Sequence, residues 1–112
     1  MQHFKTAIVT GAGSGIGKAT ALALISDGWH VALAGRRTAL LEEVRQAAQD
    51  QFQAADRVLC VPTDVTDAAA VQQLFAQVVN KWGRVDLLFN NAGRGNPAGS
   101  VLDWSAAEWQ DV

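Results

Sequence analysis

Gly11, Gly13, Gly15 and Gly17 put four glycines into seven residues, directly after an apolar run and directly before a helical pattern. The chemistry of such a turn is that of its backbone. Glycine allows positive φ and carries no β-carbon to hold an anion away from the main-chain amides. The free N–H groups of the following helix's first turn then point at whatever sits there. A phosphate fits that description, and a plain strand-to-helix corner is the structural alternative. The spacing reads T-G-x-x-x-G-x-G rather than G-x-G-x-x-G, because Ile16 stands where the third glycine would be.

Three further clusters bear on what the turn would hold. A dinucleotide-binding fold usually carries an acid about 20 positions beyond its glycines, where it takes a ribose 2′-hydroxyl. This chain has Gly35-Arg36-Arg37 at the end of its second apolar run instead. A carboxylate would repel a 2′-phosphate, whereas a guanidinium forms charge-assisted hydrogen bonds with one. Arg37 reads equally well as a solvated residue at a helix start. The other clusters are Asp64-Val65 after the third apolar run and Asn90-Asn91-Ala92-Gly93 at the end of the fourth. Asp64 has a second reading, as a strand-end cap.

The elements that must position these residues alternate. Residues 6–11 read as a buried strand. A helix follows over 15–27, with Ile16, Ala19, Thr20, Ala23 and Leu24 on one face, and Gly28 stops it. Residues 31–35 form a second strand and 38–51 a helix with the stripe Leu40, Leu41, Val44, Ala47 and Ala48. Residues 57–65 form a third strand, and Asp67 suits the N-cap of the next helix. Val71, Leu74, Phe75, Val78, Val79 and Trp82 make that helix's apolar series, which ends at Gly83. Residues 85–93 are the fourth strand.

This order predicts an α/β fold, a Rossmann-like doubly wound parallel sheet of four strands in the order 3-2-1-4. Pro62 supports it, since the third strand is then an edge and proline belongs at edges or strand ends. Ser105 and Glu108 have capping-box spacing and predict a further helix start. The fourth strand is expected to present an exposed apolar edge, with Leu87, Leu88 and Phe89 incompletely covered.

The glycine turn from Thr10 to Gly17, the Asp64-Val65 pair and the N-N-A-G segment together resemble the short-chain dehydrogenase/reductase family, at its spacing and over the whole chain. The resemblance corresponds to the N-terminal half of a typical member, so residues 1–112 are expected to be one partial dinucleotide-binding domain. It implies that Gly11, Ser14 and Ile16, with Gly15 and Gly17 in the same turn, line the phosphates. Asp64 and Val65 would meet the adenine, and Asn90, Ala92 and Gly93 would lie near the ribose on the nicotinamide side. Thr10 would tie the turn to the N-N-A-G segment. Members using NAD commonly carry Asp where Gly35 stands, and those using NADP often carry Arg where Arg36 stands. NADP is therefore favoured over NAD, with Arg36 and Arg37 as its readers.

The family's chemistry uses a Tyr-x-x-x-Lys pair, an upstream Ser and an Asn, the tyrosine acting as general acid/base. This chain contains no tyrosine. None of the four catalytic positions is matched. The expectation is the N-terminal portion of an NADP-dependent oxidoreductase acting on a small alcohol or carbonyl, inactive as these residues alone. A non-catalytic nucleotide-binding module or sensor is the alternative.

Composition narrows the rest. The 112 residues carry a net charge of −2 with scattered basic residues, which gives no electrostatic case for nucleic acid. No apolar window is long enough to span a membrane, and the first residues lack a signal-peptide pattern. One cysteine fits a reducing compartment, so a cytoplasmic protein is expected. Cys60 reads as an inert buried thiol, His3 and His30 have no ligand spacing, and Arg84 with Asp86 reads as a surface turn pair. The resemblance implies a homo-oligomer for a full-length form.

Overall fold

The computed structural model describes residues 4–13 and 15–91, and residues 101–102 as backbone. Strands β1 (Thr6–Thr10), β2 (His30–Gly35), β3 (Val58–Pro62) and β4 (Leu87–Asn90) alternate with helices α1 (Gly15–Ser26), α2 (Thr38–Phe52) and α3 (Ala68–Trp82). The four strands form a parallel sheet in the order β3-β2-β1-β4, as the alternation predicts. β1 is buried along its whole length. That is why its sequence is a continuous apolar run and not an alternating one.

Period-two packing divides the core into two layers. Val9, Val31, Leu33 and Phe89 face α1 and α2, whose Ala21, Ile25, Leu41, Val44 and Ala48 complete that side. Ile8, Ala32, Val61 and Leu88 face α3 through Leu74, Phe75, Val78 and Trp82. The crossovers through α1 and α2 lie on one face and the crossover through α3 on the other. The direction of winding therefore reverses between β1 and β4. Register brings Thr10 beside Ala34 and Asn90, and Gly35 beside Pro62. All four carboxyl ends meet at one rim of the sheet.

The ends of the elements follow local rules. Asp67 caps α3, its Oδ1 accepting from the N–H groups of Ala69 and Ala70 at 3.0 and 3.4 Å. Gly83 closes α3 in the left-handed conformation at φ 81°. Pro62 is exposed at the end of the edge strand, where no donor is missed, and Thr63 N–H continues the ladder to Gly35 O at 2.7 Å. Arg84 clasps Asp86 through two hydrogen bonds of 2.9 and 2.6 Å, and Asp86 Oδ2 also accepts from Thr6 N–H at 2.8 Å. The turn pair thus anchors the start of β1.

Three expectations need correction. Val79, counted in the apolar series of α3, is exposed, beside the buried Leu74, Phe75, Val78 and Trp82. The buried face of α1 is Gly17, Ala21 and Ile25, whereas Ile16, Ala19 and Ala23 are exposed. This helix is apolar nearly all round, so periodicity does not choose its face; the close approach at Gly17 does. The outer edge of β4 is also not bare. A short strand β5 (Val101–Leu102) pairs with it antiparallel, Leu102 beside Leu88 and Val101 beside Phe89. The side chains on the faces of β4 are covered by the helices, Leu88 on the α3 side and Phe89 on the α1–α2 side, at only 8% and 5% exposed, and Leu87 is half-buried. A two-residue strand has no periodic signature to read. The helix start at Ser105 and the residues Trp104 and Trp109 lie outside the described residues.

Candidate functional site

The turn after β1 is fixed by contacts that only glycine permits. Gly11 sits at φ 62°, a conformation that costs a residue with a β-carbon about 1–2 kcal/mol. Ala12 N–H donates to Ala34 O at 3.3 Å and its methyl is fully buried, which pins the turn to the end of β2. α1 then begins so close to the turn that a β-carbon on Gly17 would lie 2.1 Å from Gly11 O. Gly15 and Ile16, at the helix start, face outward; a β-carbon on Gly15 would meet nothing within 4 Å, and Ile16 is 53% exposed.

Thr10 links this turn to the end of β4. Its Oγ1 donates to Asn90 Oδ1 at 3.0 Å and accepts from Asn91 N–H at 2.9 Å. The tie expected between Thr10 and the N-N-A-G segment is therefore present.

Gly11, Gly13, Gly35, Arg36, Arg37, Leu40 and Leu41 line a groove of ≈ 250 Å³. Arg37 is the N-cap of α2, and its side chain makes no capping hydrogen bond to that helix's first turn. The same turn carries no acid. The groove thus joins two guanidinium groups to a helix N-terminus with its dipole uncompensated, and both attract an anion.

A second pocket, ≈ 130 Å³, lies on the α3 side of the rim among Thr10, Val65, Val71, Leu74, Phe75, Leu88 and Asn90. Asp64 is linked to both, within ion-pair distance of Arg36 of the groove and next in sequence to Val65 of the second pocket. Thr66 holds it, donating to Oδ1 from its N–H at 2.9 Å and from its hydroxyl at 2.6 Å. Arg36 approaches the same oxygen at 3.6 Å. The Thr66 bonds, and then the Arg36 charge, keep the Asp64 carboxyl below the usual carboxylate range.

The structure therefore gathers Gly11, Gly15, Ile16, Gly17, Arg36, Arg37, Asp64, Val65 and Asn90 at one rim. Ser14, Ala92 and Gly93 lie outside the described residues. Leu40, whose Cβ would stand 2.8 Å from a β-carbon on Gly13, and Thr66, which fixes Asp64, were not evident from spacing. The signal for Thr66 is its position two residues after an aspartate, the pattern of an Asx turn. Cys60 lies outside this rim and is half-buried where a buried thiol was expected; burial raises its thiol to about 11.

The arrangement suits a dinucleotide: a glycine turn at a helix start and two arginines fit phosphates, and the second pocket is mainly apolar. A family model described as short chain dehydrogenase matches residues 5–112. An oxidoreductase of Staphylococcus aureus strain MRSA252 is 39% identical over 109 residues, 96% of this chain and 44% of that protein. A short-chain dehydrogenase/reductase from Burkholderia phymatum, solved in complex with NAD, superposes with TM-score 0.74 at 39% identity over 80% of this chain and 31% of that one. An alcohol dehydrogenase from Thermococcus sibiricus, solved with 5-hydroxy-NADP, gives TM-score 0.70 at 32% identity over 77% and 36%. The chain spans less than half the length of these relatives. Sequence motifs, sheet order and rim geometry agree with the match: the chain belongs to the short-chain dehydrogenase family.

Proposed function

We propose that this chain is the cofactor-binding part, over residues 1–112, of an NADP(H)-dependent oxidoreductase acting on a small alcohol or carbonyl compound. The observation that carries the preference for NADP(H) is the groove in which Arg36 and Arg37 stand beside the uncapped start of α2, with Gly35 where an acid would select a 2′-hydroxyl. In this reading Gly11, Ser14, Gly15, Ile16 and Gly17 hold the pyrophosphate. Asp64 and Val65 take the adenine, and Asn90, Ala92 and Gly93 border the ribose beside the nicotinamide. The bound nicotinamide supplies or accepts the hydride. The residues of this chain orient it. With no tyrosine among them, they do not by themselves supply the general acid/base, so turnover belongs to a longer form. That form is proposed to be a cytoplasmic homo-oligomer with no nucleic-acid or membrane partner. Among the described residues no helix is long and apolar enough to cross a membrane.

The test is a paired titration with NADPH and NADH. Wild type is expected to bind NADPH more tightly, and Arg36→Asp to flatten or reverse the preference. A wild-type preference for NADH overturns the assignment.

A further inference from the structure

We propose that Asp64 limits how strongly this site distinguishes a 2′-phosphorylated adenosine from one with a free 2′-hydroxyl, because it competes for Arg36. The proposal rests on the NADP(H) reading above and adds a specificity-determining residue to it.

The two members of the pair are held differently. Asp64 Oδ1 is fixed by two hydrogen bonds from Thr66, at 2.9 and 2.6 Å. Arg36 Nη2 lies 3.6 Å away, beyond hydrogen-bond distance, on a side chain that is 71% exposed. The acid is anchored and the base is loose. A 2′-phosphate in the groove would draw the guanidinium into shorter, bidentate bonds, and the withdrawal leaves Asp64 negative at the rim. Two effects then work in the same direction. Arg36 must give up a partner, and a like charge stays near the phosphate. A 2′-hydroxyl provokes neither.

Arg37 is not held in this way. Among the described residues no carboxylate lies within ion-pair distance of it. Competition falls on Arg36 alone, at the point where the rim passes from the arginine groove to the pocket beside Val65. The Thr66 bonds also keep Asp64 ionised well below neutral pH, so the competing charge is present under ordinary conditions.

The experiment uses the full-length protein and two adenosine probes, 2′,5′-ADP and 5′-AMP, titrated by calorimetry into wild type and Asp64→Asn. Any contact between Asp64 and the base is common to both probes and cancels in the ratio of affinities. That ratio is expected to shift toward 2′,5′-ADP by about two- to five-fold in Asp64→Asn, the range of an exposed ion pair. Asp64→Ser keeps an acceptor for Thr66 N–H without the charge, and it should shift the ratio the same way if the asparagine variant does not fold. An unchanged or reduced ratio overturns the proposal. If wild type binds 5′-AMP as tightly as 2′,5′-ADP, the NADP(H) reading fails; the effect of removing the Asp64 charge is read independently of that result.

Discussion

Gly17 is where one atom decides the site. The chain passes so near itself that Gly17 Cα and Gly11 O leave no room for a methyl, which would lie 2.1 Å from the oxygen. Backbone cannot swing aside as a flexible side chain can. Gly17→Ala should therefore push α1 off the turn and disturb the start of that helix. The expected destabilisation is about 1–3 kcal/mol, the usual cost of overpacking, together with a loss of dinucleotide affinity. Thermal unfolding and ligand titration on the same variant check both parts; retention of wild-type affinity would show that the turn tolerates the shift. Gly15→Ala makes a useful contrast. Its β-carbon would meet nothing, so only its φ of 59° opposes the change.

At the scale of elements, Gly28 closes α1 locally, its N–H donating to Ile25 O at 3.1 Å with φ at 95°, and a further contact comes from far along the chain. The Arg57 guanidinium donates to Ile25 O at 3.0 Å and Trp29 O at 3.1 Å, carbonyls in the last turn of α1 and just beyond it. Arg57→Met keeps the stem and removes these charge-assisted bonds. The expected loss is about 1.5–3 kcal/mol, read as a lower midpoint in urea with unchanged slope; an unchanged midpoint would mean that water replaces the guanidinium at no cost. The contrast with Asp67 shows what the sequence makes legible. Asp67 bonds amides two and three residues away, so its role can be read from the adjacent residues. Arg57 reaches back 28 and 32 residues, and nothing beside it announces that. The strand order, the face of α2, that of α3 apart from the exposed Val79, and the glycine turn were legible because each rests on local periodicity or a short motif. The face of α1, the β5 pairing and the Thr66 hold on Asp64 were not, since each depends on tertiary approach or a pattern too short to count.

For the whole molecule, acidity acts first at the end of the sheet opposite the site. His30 begins β2, its ring stacked on Phe4 at 3.8 Å and set edgewise to Trp82 at 5.2 Å. Its Nδ1 is buried without a partner. Burial lowers its pKa, Arg57 lowers it further and Asp56 opposes them. The folded state therefore binds the His30 proton less readily than the unfolded chain does. Stability is complete above the ordinary value of 6.5 and is lost as pH falls through the lowered folded value. Asp86 acts at more acidic pH. Burial raises its pKa, but the bonds from Arg84 and Thr6 N–H outweigh that and hold it low. Its contribution is present above the ordinary carboxylate range and disappears as pH falls through its folded value. Tm should decline between about pH 7 and pH 5, a limb that His30→Phe flattens, and decline again toward about pH 3 in both proteins. Parallel profiles for the two proteins would remove His30 from the account.

The bond from Thr6 N–H to Asp86 spans 80 residues, and the tie from Thr10 to Asn91 N–H spans 81. On a ribosome these partners emerge far apart in time: at about 5–20 residues per second, about 4–16 s separate the two ends of either bond. During that interval β1 can pair with β2 on one side only, and its other side is an open apolar edge in the nascent chain. Asn91 has also not yet reached Thr10, so the tie between the phosphate turn and β4 is absent. The tie between the phosphate turn and β4 is therefore among the last contacts of this sheet to form as the chain is made.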